Sequence, residues 1–174
     1  YSRYRINQIS GSTVDIPQFL TDAHVIKSRR SAERYLSRLT EFGRVLRESE
    51  ARVVDDRAHG VVPPDFVIAQ TLVGMRAFID GGAETNALVT TLPEKLAKVT
   101  ELRDADRSKM LSDAKDIVQR EVIPGYKSLI ALFEDMQKTA THDAGIWRLP
   151  EGGELYAIAL QSNTTTKLNA EQIH

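Results

Sequence analysis

The stretch SAERYLSRLTEFGRVLRESEARVVDDRAH, residues 31–59, decides the fold class. Tyr35, Leu39, Phe42, Leu46, Ser49 and Val53 recur at three- and four-residue steps, which puts them on one face of a helix. Arg, Glu and Ser fill the other side, with Arg30 and Arg34 near Glu33 and Arg47 near Glu50, the pattern of a solvated face. Gly60 then reads as a cap residue.

The same period continues on both sides of this stretch. Val61-Val62-Pro63-Pro64-Asp65 is a start signal, with prolines before an apolar run and an acid in the first turn. The helix it opens reaches about Ile79 and is apolar on more than one side through Phe66, Val67, Leu72, Val73, Met75 and Phe78, which predicts a central position. Gly81-Gly82 ends it, and residues 83–92 form a connection with room for a helical turn. Pro93 starts a shorter segment through Leu96, Val99 and Leu102. Asp104 caps a long run that holds helical spacing through Met110, Leu111, Ala114, Ile117 and Val118 to Ile123. Pro124-Gly125 interrupts the ladder, because proline removes a hydrogen bond and crowds the preceding turn. The period resumes at Tyr126, Leu129, Ile130, Phe133 and Met136, so a kinked helix or two helices meeting at Pro124 is expected. Toward the N-terminus, residues 1–17 read as extended or irregular, with room for an edge strand, and Pro17 opens a short helix to about Ile26.

The expected architecture is mainly α: an array of about five or six helices with little or no strand. We treat residues 1–174 as one helical domain or fragment. Its parts are an irregular leading segment (1–30), a helical core (31–146), and a turn, short helix and Thr-rich segment (147–174). In that last part a Gly/Pro turn at residues 149–153 leads to a run carrying Leu155, Tyr156, Ile158 and Leu160, and then to Thr164, Thr165 and Thr166. Asn169 suits an N-cap, and Gln172 stands where a capping-box partner belongs. A helix is thus launched two residues before the sequence stops, which predicts that the polypeptide continues.

With 41% hydrophobic and 27% charged residues the composition is globular, and a formal charge of -1 offers no field for nucleic acid. Zero cysteines exclude disulfides, thiolate metal sites and a cysteine nucleophile. The longest charge-free apolar segment, residues 66–75, falls well short of the ~20 residues of a spanning helix, so no membrane span is expected. No targeting signal is present in the sequence.

Catalytic spacing is absent. A zinc peptidase helix needs two histidines one turn apart with a glutamate between them. His24, His59, His142 and His174 are never four apart and none precedes a glutamate, so there is no HExxH. The G-x-S-x-G elbow and the phosphate loops are also missing. No catalytic and no metal residue is assigned, and no cofactor is expected within the chain itself. The threonine triplet has two readings: turn chemistry, or, with Tyr156, a pocket for a polar substrate.

Trp147-Arg148-Leu149-Pro150 followed by Gly152 or Gly153, then Tyr156, Thr164-Thr165-Thr166 and Ala170-Glu171-Gln172-Ile173-His174 resemble the W-x-L-P-x-G, Y, T-T-T and P-E-E-I-H marks of a bacterial family. That family is domain-of-unknown-function family eight-eight-five, many members of which are labelled lipoproteins. Gly60 to Val67 resembles its G-x-x-P-P-x-F-V segment and Ile123 to Leu129 its V-x-P-A-Y-x-x-L segment. Tyr35, Arg38 and Leu39 match its Y-x-x-R-L helix. Ala170, Gly125 and Leu155 depart from the usual proline, alanine and tyrosine.

The resemblance implies a helical, zincin-like protein related to metallocarboxypeptidases, periplasmic or membrane-anchored as a lipoprotein. Its HExxH lies beyond the Ile-His mark, so this chain would be the N-terminal half of a larger domain, with zinc held by the full-length protein. The half would supply scaffold and one wall of a peptide cleft, with Tyr156, Thr164, Thr165 and Thr166 as substrate-binding candidates. Its partners would be the C-terminal half and a peptide substrate. The alternative is a stand-alone helical interaction module without catalysis. Apolar surface left open where a second half would pack should drive self-association. Sedimentation of the isolated chain should show concentration-dependent association, and a clean monomer at high concentration with no dye-binding patch would count against it.

Overall fold

A computed structural model describes residues 4–173, and among these every regular element is helical. Six helices run to seven residues or more: α1 (Ser12–Gln18), α2 (Arg29–Ala58), α3 (Asp65–Ile79), α7 (Asp104–Ile117), α8 (Ile123–Gln137) and α9 (Gly152–Thr164). Between and after them lie short helices, α4 (Gly82–Thr85), α5 (Ala87–Thr90), α6 (Leu92–Ala97) and α10 (Ala170–Ile173). The mainly α architecture anticipated from periodicity is what the chain adopts. His174 and residues 1–3, which include part of the expected strand, lie outside the described residues.

Helix α2 is the spine. Ser28 caps it, with its hydroxyl accepting from Ser31 N–H while the Ser31 hydroxyl accepts from Ser28 N–H, a reciprocal capping box. Tyr35, Leu39, Phe42, Leu46 and Val53 are buried as the spacing predicts. Ser49, the polar member of that face, receives the Ser12 hydroxyl of α1 at 2.9 Å. At Gly43 the helix meets the chain around Glu121 so closely that an added Cβ would sit 2.7 Å from the Glu121 Cβ.

Two irregularities lie at prolines, the first a departure from the expected elements and the second the expected meeting of helices at Pro124. Residues 12–17, expected to be extended or irregular, belong to α1, and Pro17 lies inside that helix rather than at its start. Proline has no N–H for the carbonyl four residues back, here Thr13. That carbonyl is satisfied from across the molecule, because the buried Tyr126 hydroxyl donates to it at 2.7 Å. The chain then widens into a π turn, Phe19–Ala23. Further along, α7 and α8 are joined by a second π turn, Val118–Val122, in which Ile123 N–H bonds Val118 five residues back. The wider turn lets the helix pass Pro124 without breaking. Asp104 stands just inside α7 rather than at its cap, which is Arg103.

The core lies among α2, α3 and the α7–π–α8 rod. Tyr126 packs edge-to-face on Phe42 (centroids 6.1 Å apart) and stacks on Phe78 (4.6 Å). Burial raises the pKa of this hydroxyl, so it stays a donor. Helix α3 is less central than its composition predicts: Ile68, Leu72 and Met75 are buried, but Phe66 and Val73 face solvent.

Tyr126→Phe should cost about 1–3 kcal/mol in urea unfolding, since it leaves the Thr13 carbonyl buried without a donor. Pro17→Ala restores a local N–H for that carbonyl. The two substitutions together should therefore cost less than the sum of their separate effects.

Candidate functional site

The family-like stretch at residues 147–173 is fixed at its start. Leu149 is buried, and Arg148 Nη2 donates to the Tyr4 hydroxyl at 2.7 Å and to the Val62 carbonyl, tying the N-terminal chain and the α2–α3 loop together. Of the two glycines that could complete the W-x-L-P-x-G pattern, geometry selects Gly152. A Cβ there would run into the Ile146 carbonyl, whereas Gly153 has open space around it. Trp147 itself is 78% exposed, with its ring folded over Gly145.

From Gly152 onward the stretch leaves the core. Gly152 is the buried residue of α9, while Tyr156 (45% exposed) and Ile158 (52%) face solvent, as do Leu168 and Ile173 beyond it. At the end of α9 the chain reverses. Thr165 is left-handed (φ 56°), and its N–H returns to the Gln161 carbonyl at 2.9 Å. The Thr164 hydroxyl donates to the Leu160 carbonyl (2.8 Å) and lies 3.2 Å from the Thr166 hydroxyl. The Thr165 hydroxyl donates to the Thr164 carbonyl, and Thr166 accepts from Leu168 N–H. Asn169 and Gln172 then make the expected reciprocal box, each side chain accepting from the other's N–H at 2.9 Å.

This reversal lays residues 167–170 beside α9 and encloses a groove of about 500 Å³. Tyr156, Leu160 and Leu168 line it with apolar surface, and Gln161, Lys167 and Asn169 add polar groups. Of the four residues singled out from sequence, Tyr156 lines the groove, whereas Thr164, Thr165 and Thr166 lie outside its lining, in the turn after α9, with their hydroxyls engaged there. Sequence spacing overlooked Lys167 and Leu168. The capping box at Asn169 marks the start of α10 but not the direction of the chain before it, so no sequence signal placed Lys167 and Leu168 beside Tyr156.

The described residues do not fit a metal. No three of His, Asp and Glu among them converge as ligands. His24 is met by the Arg38 guanidinium, His59 lies against the Asp55 carbonyl, and His142 pairs with Asp65 at 2.9 Å. Among the described residues no helix is long and apolar enough to cross a membrane.

An all-helical array with an open groove at its C-terminal edge defines the class. The family model described as "Bacterial protein of unknown function (DUF885)" matches residues 1–174, and the chain belongs to that family. A solved structure described as the "putative lipoprotein from Colwellia psychrerythraea" is similar, with 26% sequence identity and a TM-score of 0.92. The match covers 97% of this chain and 29% of that one, so the chain spans less than a third of that protein's length. No curated protein matches.

A β-branched residue in left-handed backbone is held at a cost of order 1–2 kcal/mol. Thr165→Gly should therefore slow amide exchange in the last turn of α9, measured at residues 161–165. Unchanged or faster exchange there would show that the threonine hydroxyl contacts outweigh the backbone strain.

Proposed function

We propose that this chain is the N-terminal scaffold and one cleft wall of a metal-dependent, peptidase-like protein, with Tyr156 contacting the peptide and Thr164, Thr165 and Thr166 shaping the end of the cleft. The observation that carries the reading is the groove beside α9. Its apolar strip along Tyr156, Leu160 and Leu168 suits peptide side chains, and Gln161, Asn169 and Lys167 suit peptide amides and carbonyls. Burial and orientation of substrate are what such a wall contributes; the metal and its chemistry belong to residues beyond this chain. The 29% share of the similar structure, together with the open face of α9, supports a C-terminal partner half packing here. The lipoprotein description of that structure supports a periplasmic or lipid-anchored location for this protein.

The test uses the product of the complete reading frame against a panel of peptides, with and without a chelator. Hydrolysis that chelation abolishes is expected, and Tyr156→Ala should raise KM and lower kcat/KM by about tenfold or more. Absence of hydrolysis on every peptide in the presence of zinc would overturn the peptidase reading and favour an interaction module. The isolated 174-residue chain should show neither turnover nor stoichiometric zinc; a tightly bound zinc would refute that part.

A further inference from the structure

The connection between α1 and α2 is clamped by a buried histidine that the groove does not use. We propose that His24 is a proton-sensitive latch: its neutral ring holds the Phe19–Lys27 segment against α2, and a proton on the ring releases the segment from that helix.

The hydrogen bonds assign the tautomer. Nε2 faces the Ser31 carbonyl at 3.3 Å, which can only accept, so Nε2 carries the hydrogen. Nδ1 faces Arg38 Nη1 at 2.6 Å, and a guanidinium can only donate, so Nδ1 must offer its lone pair. A second proton would have to go on Nδ1. It would set an N–H against an N–H and a cation against a cation in a site where the histidine is 5% exposed.

The surroundings are mostly cationic and aromatic, with one carboxylate among them. From α2 come Arg38 and the Tyr35 ring, edge-to-face with its centroid 5.3 Å away and its hydroxyl committed to the Leu88 carbonyl. From α6 comes Lys95, whose ammonium donates to the Leu20 and His24 carbonyls at 2.7 and 3.0 Å, with Lys98 beyond it. The segment itself adds the Phe19 ring and Asp22, a carboxylate whose charge acts on Lys95. Burial first, and then the charges of Arg38 and Lys95, hold the ring's pKa below its ordinary value of 6.5, against the hydrogen bond to Ser31, which raises it.

The sign follows from linkage. The unfolded or released segment binds the proton more readily than the docked one. Docking is therefore at full strength above the free pKa of 6.5 and is lost as pH falls below 6.5 toward the depressed value. The other two described histidines are exposed and lie outside this segment, His59 beside Asp55 at 3.5 Å and His142 beside Asp65 at 2.9 Å. Asp106, held at about 2 by Arg29 and Arg103, titrates well outside this window.

Amide exchange across residues 20–27, corrected for intrinsic rates, tests the latch at about pH 7.5 and about pH 5. Protection of this segment should fall severalfold at the lower pH, with a ceiling of about thirtyfold set by the interval between the free pKa of 6.5 and about pH 5, and by more than at the buried amides of α8. His24→Gln, which can accept from Arg38 and donate to Ser31 but cannot titrate, should give equal protection at both pH values. Unchanged protection in the unsubstituted protein, or the same fall in His24→Gln, overturns the proposal. A measurement independent of any variant is the ring tautomer from nitrogen chemical shifts above pH 7. Hydrogen on Nε2 is expected, and hydrogen on Nδ1 would also overturn it.

Discussion

The fold depends on one buried hydroxyl. Tyr126 donates to the Thr13 carbonyl, the acceptor that Pro17 leaves without its helical partner, while the same ring fills the space between Phe42 of α2 and Phe78 of α3. A single side chain of α8 thereby fixes α1, α2 and α3 at once. Pro17 would be costly inside an isolated helix, but here the price is met by a donor that must itself be satisfied in the core. The local irregularity and the tertiary contact are therefore one feature. Removing the Tyr126 hydroxyl while Pro17 stays leaves the Thr13 carbonyl buried without a donor.

That coupling explains which elements are legible in the chain. Helix α2 satisfies every local rule together: a cap at Ser28, an apolar face at helical spacing, and Gly60 after its end. Its existence and its buried face follow from the residues in order. The same is true of the box between Asn169 and Gln172. Helix α1 breaks a local rule, and what compensates lies more than a hundred residues away, so no window around Pro17 could reveal it. The π turn before Pro124 is an intermediate case. The proline announces that the ladder must change, but only packing decides between a broken helix and a widened turn. Gly125, where the family pattern has alanine, belongs to the same contact, since a Cβ there would lie 2.9 Å from the Leu46 side chain. Helix α3 misleads in the opposite sense, because hydrophobic composition sets how much surface could be buried and not which side meets a neighbour.

The candidate groove was legible in its residue types and not in its shape. Tyr156 and the threonines stand out in sequence, yet their roles differ for a physical reason. Consecutive hydroxyl residues after a helix find backbone groups to bond immediately. Thr164 and Thr165 do so, and the resulting reversal creates a wall from residues with no sequence signal of their own. Gly152 gains meaning in the same way: the motif names a glycine, and the Ile146 carbonyl explains why it is this one.

The groove is also positioned differently from the rest of the molecule. Helices of the core are held along their length by buried faces, whereas α9 is held at its first turn, where Leu149, the Arg148 hydrogen bonds and the close approach at Gly152 fix the direction in which it leaves. Beyond that point its side chains find few neighbours, and stability of a segment follows the apolar contacts it makes. The direction of α9 is thus set by a turn of a few residues, and its outer face is open. The Trp147-Arg148-Leu149-Pro150 turn accordingly acts as the joint between the core and the groove.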